Sequence, residues 1–314
     1  MTGLDAIVVG QVARDIVLLV DEVPGPSGTA PVRCRRELLG GKGANQAVGL
    51  AQLGVRVGLL GVVGEDEVGD RLLGRARSDG IDVAPVLRRP DTPSALIVDV
   101  VDARAHWRYL EDIPGATLLS EADVTGAAEV LRAARAVVVQ LQQPLPAALA
   151  ATRHARDAGR LVVLDGAPDD PDGSDGSAEL LSRADVLRAD AREAGLLLGG
   201  DPPKDAEAGL RAGRELAARG PALVAVEVAG EGNAFVWPGG ELFVPVSETP
   251  TVDSTGAGDA FVAAVTAGLL RDDPYPRLAR YAVAAAGATV GHPGGRPALT
   301  PEAIEAQLAR IPDR

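Results

Sequence analysis

Two short segments of the 314-residue chain carry residue types and spacings suited to chemistry on an anionic group. The first is Asp253-Ser254-Thr255-Gly256-Ala257-Gly258-Asp259-Ala260-Phe261, which leads into an apolar, helix-compatible run. Small residues at Gly256, Ala257 and Gly258 let the backbone approach a ligand closely and turn its N–H groups outward. At a helix N-terminus those donors and the aligned peptide dipoles make an anion site. Asp259 adds an acceptor beside it. Donors for a transferring anion next to a base for an attacking O–H are what phosphoryl transfer to a hydroxyl needs. Taken alone, the segment reads equally as a glycine-rich helix start that Asp259 merely caps. It is not the lysine-bearing phosphate loop, because GxxxxGK[ST] occurs nowhere in the chain.

The second segment is Gly40-Gly41-Lys42-Gly43-Ala44-Asn45-Gln46-Ala47. Adjacent glycines before a helix serve as a hinge or permit close ligand approach. Lys42 and Asn45 supply donors and an acceptor matched to hydroxyl groups. By itself the segment is better explained as a tight strand-to-helix turn with a solvated lysine.

The elements that must position these residues follow from hydrophobic patterning. Ala6–Gly10, Val57–Val62, Ala136–Gln140, Leu161–Asp165, Val186–Leu187 and Leu223–Val228 are continuously apolar, the mark of strands buried on both faces. Between them the spacing predicts helices near 43–53, 68–78, 121–134, 146–158, 191–198 and 206–219, and three more near 257–270, 276–290 and 301–311. That alternation predicts an α/β class with a mostly parallel sheet covered on both sides. Two β-branched stretches, 15–39 and 94–110, lack an intervening helix and read as a small sheet standing off the main domain. The Asp/Gly/Pro-rich stretch 165–176 reads as a solvated loop, since its aspartates lack calcium-loop spacing.

Composition narrows the partners. Apolar residues make up 46% and aromatics only 3%, so the core is built from Ala, Val and Leu. A net charge of −13 argues against a nucleic-acid partner, whose phosphates need clustered Lys and Arg. Cys34 is the only cysteine, which rules out an intrachain disulfide or a cysteine-based zinc site. His106, His154 and His292 are widely separated and read as surface or loop residues. No leader-like N-terminus and no apolar run of spanning length are evident, so the expectation is a cytoplasmic protein with no membrane association.

Together and in this order, the two segments resemble the paired signatures of the PfkB/ribokinase family of carbohydrate kinases, and the GGKGAN form points to its ribokinase-like branch. Gly10–Asp15, the 61–69 loop with Asp66, and Gly294-Gly295-Arg296-Pro297 are similar to that family as well. The resemblance implies a Rossmann-like three-layer α/β/α sandwich, one kinase domain with a small β-sheet lid inserted as about 12–39 and 94–112. It implies ATP, Mg²⁺ and K⁺ as cofactors, a sugar or nucleoside as acceptor, and a homodimer formed through the lids. Asp259 would be the catalytic base, with Gly256, Ala257 and Gly258 forming the anion hole. Asp15, Gly41, Lys42, Asn45 and Gln142 would hold the acceptor. Asp190, Glu227, Ala229, Gly230 and Gly232 would serve ATP. Glu193 would meet Mg²⁺ through water, and Asp253 and Thr255 the monovalent cation.

Several positions depart from the family pattern. Gln142 stands where ribokinases carry a sugar-contacting Glu, Asp190 where they carry Asn, and Glu227-Val228-Ala229-Gly230 where Thr-Leu-Gly is usual. Thr117 replaces an Asn in the lid region, and Arg108 lies near another. Arg33, Arg35, Arg36, Arg104 and Arg108 lie in the lid segments and read as solvated strand edges, with a phosphorylated sugar as the alternative use. A nucleoside or sugar-phosphate kinase therefore stays open beside a free-sugar kinase. So does a sugar- or nucleotide-binding protein that has lost catalysis. A dinucleotide-binding oxidoreductase is disfavoured because no GxGxxG follows the first strand.

Overall fold

Side-chain alternation along the first strand sets the layering. The computed structural model describes residues 3–104, 106–168, 176–249, 251–291 and 294–312. In β1 (Ala6–Val9), Ala6 and Val8 enter one apolar cluster while Ile7 and Val9 enter another. A strand buried on both faces requires helices on both.

The other strands are β2 (Ala13–Val20), β3 (Val32–Gly40), β4 (Val57–Leu60), β5 (Val62–Gly64), β6 (Leu87–Arg89), β7 (Leu96–Val101) and β8 (Trp107–Asp112). They continue with β9 (Ala136–Gln140), β10 (Leu161–Asp165), β11 (Val186–Ala189), β12 (Leu223–Val228), β13 (Gly232–Trp237) and β14 (Gly240–Pro245). Helices α1 (Lys42–Gln52), α2 (Glu67–Ser78), α3 (Glu121–Gly126), α4 (Ala128–Ala133), α5 (Leu145–Asp157) and α6 (Gly176–Arg183) lie between them. So do α7 (Ala191–Leu198) and α8 (Ala206–Ala217), while α9 (Ala257–Leu270), α10 (Tyr275–Thr289) and α11 (Pro301–Leu308) follow β14.

The main sheet has the order β14-β13-β12-β11-β10-β9-β1-β4. It is parallel from β4 to β12, and β13 and β14 return antiparallel. Helices α1, α2, α9, α10 and α11 pack on one face, and α3 to α8 on the other. The result is a Rossmann-like α/β/α sandwich. With few aromatics available, one stacked pair, Phe235 with Phe261 at 5.5 Å, ties β13 to α9.

Four differences from the sequence reading have local causes. The run 57–62 is two strands, because at Gly61 a Cβ would press on the Gly10 carbonyl and the chain leaves the main sheet there. The helix expected over 121–134 breaks at Ala127 into α3 and α4. The β13–β14 hairpin, absent from the expectation, turns through Gly239 at φ +87. Finally, the solvated loop expected over 165–176 does not include Asp165, which ends β10 as the strand reading had it and is buried, while 169–175 and His292 lie outside the described residues.

A second sheet, β3-β2-β7-β8, stands apart from the first. Residues paired across strands share a face, so Val17, Arg36, Asp99 and Tyr109 lie on one side of it. That side is turned to the main domain: the Tyr109 hydroxyl lies 2.5 Å from Thr255 Oγ1, and a Cβ on Gly294 would meet Val17 and Leu38. No described helix is long and apolar enough to cross a membrane.

Candidate active site

Close packing of α1 on α9 unites the two glycine segments. A Cβ on Gly49 would come within 2.7 Å of the Ala263 Cβ, so the helix backbones nearly touch there. One turn toward each N-terminus lie Asn45 and Asp259. Asn45 Nδ2 donates to Asp259 Oδ2 at 3.3 Å, and Gln46 Nε2 donates to Asp259 Oδ1 at 3.1 Å and to Asp165 Oδ2 at 2.8 Å. Asp259 is 5% exposed. Burial, with the Asp165 charge adding to it, pushes its carboxyl up to about 7, although Lys42, Gln46 and Asn45 pull the other way. A base poised near neutrality is well matched to proton abstraction at physiological pH. The capping reading fails geometrically: the N-cap of α9 is Gly256, and Asp259 hydrogen-bonds across to α1.

Gly256 is confined twice over. It sits at φ +73, and a Cβ there would overlap the Gly295 carbonyl. Gly256→Ala is expected to cost more than about 1 kcal/mol through that left-handed backbone. It should also lower kcat by on the order of 10²-fold by displacing the anion-site donors. Steady-state kinetics beside a thermal melt separate the two effects.

A charged cluster surrounds this helix start. Lys42 Nζ lies 3.8 Å from Glu193 Oε1. Burial opposes the Lys42 charge, but Asp165, Glu193 and Asp259 outweigh it and hold its pKa above the ordinary value. Arg188, on β11, reaches Asp165 Oδ1 at 3.3 Å and Glu227 Oε2 at 2.5 Å, with Glu193 Oε2 at 3.9 Å. A Cβ on Gly258 would stand 2.9 Å from Arg188 Nη1, so the guanidinium lies directly against the glycine turn that opens α9. Asp190 and Glu193 form a reciprocal capping box that fixes the start of α7.

These groups open onto a cleft of about 660 Å³, a size suited to a nucleotide. Lys42, Asp190, Glu227, Gly230 and the Gly256–Asp259 turn line it, and Trp107 reaches it from the second sheet. Glu193 sits behind Lys42. Ala229 and Gly232 belong to the same hairpin region without lining the cleft. Asp253 is buried, accepting from Thr255 N at 2.9 Å and Gly294 N at 2.8 Å.

Asp15, Gly41 and Asn45 gather on the other side of Asp259. Gly41 (φ +82) is the N-cap of α1, and a Cβ on Gly40 would collide with the Asp15 carboxylate. Burial, then the neighbouring Asp259 and Asp99, pushes Asp15 up to about 8, with a Gly41 backbone hydrogen bond opposing. Gln142 is exposed, whereas its neighbours Gln140 and Gln143 are buried, and Gln143 accepts from Leu119 N at 2.9 Å.

Gln46, Asp165 and Arg188 escaped the sequence reading. Gln46 adjoins Asn45 in a segment already singled out. Asp165 and Arg188 end or nearly end adjacent parallel strands, at the carboxyl edge where α/β sheets place ligands.

Comparison with known proteins decides the family. The family model described as pfkB family carbohydrate kinase matches residues 4–302. The chain belongs to that family. It is thus a carbohydrate kinase, a phosphotransferase with an alcohol group as acceptor. An ATP-dependent ribose-1-phosphate kinase of Halopiger xanaduensis is 32% identical over 96% of both chains. A ribokinase of Haemophilus influenzae is 26% identical over 93% of this chain and 94% of its own. A structure of Arabidopsis thaliana ribokinase complexed with ribose and ATP shares the fold with a TM-score of 0.78 at 24% identity, covering 98% of this kinase and 99% of that chain. Thermotoga maritima ribokinase does so with a TM-score of 0.80 at 23% identity and the same coverage.

Proposed function

We propose that this kinase transfers the γ-phosphoryl group of ATP to a hydroxymethyl group of a sugar, with Asp259 as catalytic base. The observation that carries the reading is the buried Asp259 carboxyl, near-neutral in pKa, held by amides of α1 beside the glycine turn that opens α9. Asp259 takes the proton of the attacking hydroxyl. The N–H groups of Gly256, Ala257 and Gly258 stabilise charge on the transferring group, and Lys42 and Arg188 add positive charge there. Asp15, Gly41 and Asn45 orient the acceptor. Asp190, Glu227 and Gly230 flank the nucleotide.

The residues fit a hydrated Mg²⁺. Among the described residues no cluster of three His, Cys, Asp or Glu could cage a metal, and Glu193 lies one charged side chain, Lys42, back from the cleft, within reach of a hydrated ion through water. Magnesium typically keeps its waters and uses one or two carboxylates plus substrate phosphates. When bound, it neutralises phosphate charge. A K⁺ ion fits beside Asp253, a buried carboxylate held by two backbone N–H groups and in no ion pair among the described residues.

The second sheet acts as a lid that excludes water, the competing acceptor. Its outer face carries partly buried Ile16, Leu18, Val98 and Val100 and 65% exposed Leu110, an apolar surface that suits a homodimer through the lids. A single cysteine accords with a cytoplasmic setting.

A second reading, a sugar phosphate as acceptor, is favoured by the name of the Halopiger relative. Turnover of ATP against pentoses, hexoses, nucleosides and sugar phosphates, with and without Mg²⁺ and K⁺, tests the assignment. Mg²⁺-dependent transfer to at least one acceptor, stimulated by K⁺, is expected. Tight ATP binding with no transfer to any panel member refutes it.

A further inference from the structure

Asp99 of the lid has no structural employment. It is 3% exposed, and neither carboxylate oxygen has a hydrogen-bond partner. Buried carboxylates are normally paired, because an unpaired acceptor forfeits its hydration without replacement.

Its direction follows from the register. Asp99 pairs with Val17 on one side and Tyr109 on the other. The Tyr109 hydroxyl touches Thr255, and a Cβ on Gly294 would lie 3.3 Å from Val17. Both cross-strand neighbours therefore point into the space between lid and main domain, and Asp99 points with them. The next pair on the same face brings Asp15 and Glu111. Asp15 Oδ1 is likewise buried and unpartnered, as is Gln140 Oε1. Asp253 of the main domain, which accepts from Thr255 N and Gly294 N, adds a further carboxylate whose charge acts on Asp99.

We infer that Asp99 is a specificity-determining residue that, with Asp15, accepts hydrogen bonds from a hydroxyl-rich acceptor carrying no phosphate under the lid. Sugar hydroxyls donate to carboxylates strongly and would satisfy the unpartnered oxygens. A phosphate in the same place would meet the carboxyl groups of Asp15 and Asp99, with no cation among the cross-strand neighbours of Asp99, Val17 and Tyr109. Arg36 shares the face but stands one strand beyond Val17, about 10 Å from Asp99 at the usual inter-strand spacing, and is exposed. Lys42 is drawn to the opposite side by Glu193, Asp165 and Asp259.

This inference deepens the sugar-kinase reading and rests on it. The test measures kcat, KM and calorimetric sugar affinity for wild type, Asp99→Leu and Asp99→Asn, with free sugars and with the same sugars phosphorylated away from the reacting carbon. The wild type is expected to prefer the free sugar. Asp99→Leu should weaken it roughly 10- to 100-fold in KM and Kd, as loss of a charged hydrogen bond does, with kcat little changed and Tm raised. Asp99→Asn should recover part of the affinity and narrow the preference against sugar phosphates. A wild type that prefers a sugar phosphate or binds no free sugar overturns the inference. So does unaltered sugar affinity in both variants, or a change confined to K⁺ activation. Intact sugar binding without transfer counts against the kinase reading alone.

Discussion

Asp259→Asn is expected to lower kcat by about 10²–10⁴-fold, the contribution typical of a positioned base, with ATP affinity nearly unchanged. Asn keeps the size and one acceptor oxygen, so one of the two donors, Gln46 Nε2 or Asn45 Nδ2, keeps its partner while the other meets the new NH2 group. A thermal melt beside the kinetics registers that loss. The pH profile gives an independent check. A base works only when deprotonated, and burial with the Asp165 charge pushes Asp259 up to about 7. Activity in kcat/KM should therefore rise with pH through about 7 and fall in proportion to proton concentration below it. Asp165→Asn removes one cause of that elevation and should move the acidic limb to lower pH. A limb that stays in place, or Asp259→Asn retaining wild-type turnover, refutes the assignment.

Arg188→Met is the second large effect, on stability and nucleotide binding together. The guanidinium is buried between Asp165, Glu193 and Glu227, and although burial works against its charge, those carboxylates hold it charged. Removing one member of such a buried network strands the others and typically destabilises by about 3–5 kcal/mol. Denaturant unfolding measures this. The same change removes positive charge beside Gly258, so KM for ATP should rise. Arg188→Lys keeps the charge without the forked donors and should recover only part of either loss. A wild-type melt and KM in Arg188→Met would show that the cluster neither holds the sheet edge together nor contacts the nucleotide side.

Much of the fold was legible because buried parallel strands write themselves as unbroken apolar runs. Ala6–Gly10, 136–140 and 161–165 emerged nearly as read, and so did the helices between them. The β13–β14 hairpin was less visible: with Gly at the start of both strands and polar Asn233 and Glu241 within them, its pattern falls between the two periodicities. Arg188 illustrates another limit. A lone arginine in a short apolar strand has no sequence pattern that says three carboxylates from β10, α7 and β12 surround it. Asp165 was placed at its strand end, but its role was not legible, since nothing near it in sequence shows that Gln46 and Arg188 reach it.

In the two glycine segments, the sequence alone offered donors for an anion beside an acid at Asp259 and a turn at Gly40–Asn45 whose side chains suit hydroxyls, each with a plain structural reading beside it. Local chemistry suffices for that, because glycine, amide and carboxylate carry their possibilities wherever the chain places them. Only the tertiary structure decided that the two are one site. Gly49 and Ala263 let α1 and α9 pack backbone to backbone, which brings Asn45 and Gln46 from more than two hundred residues away onto Asp259. The same packing buries the carboxyl and puts Asp165 beside it, raising its pKa to about 7, the range the proposed base needs. Desolvation and the approach of distant charges are properties of the assembled molecule, and no spacing within either segment encodes them.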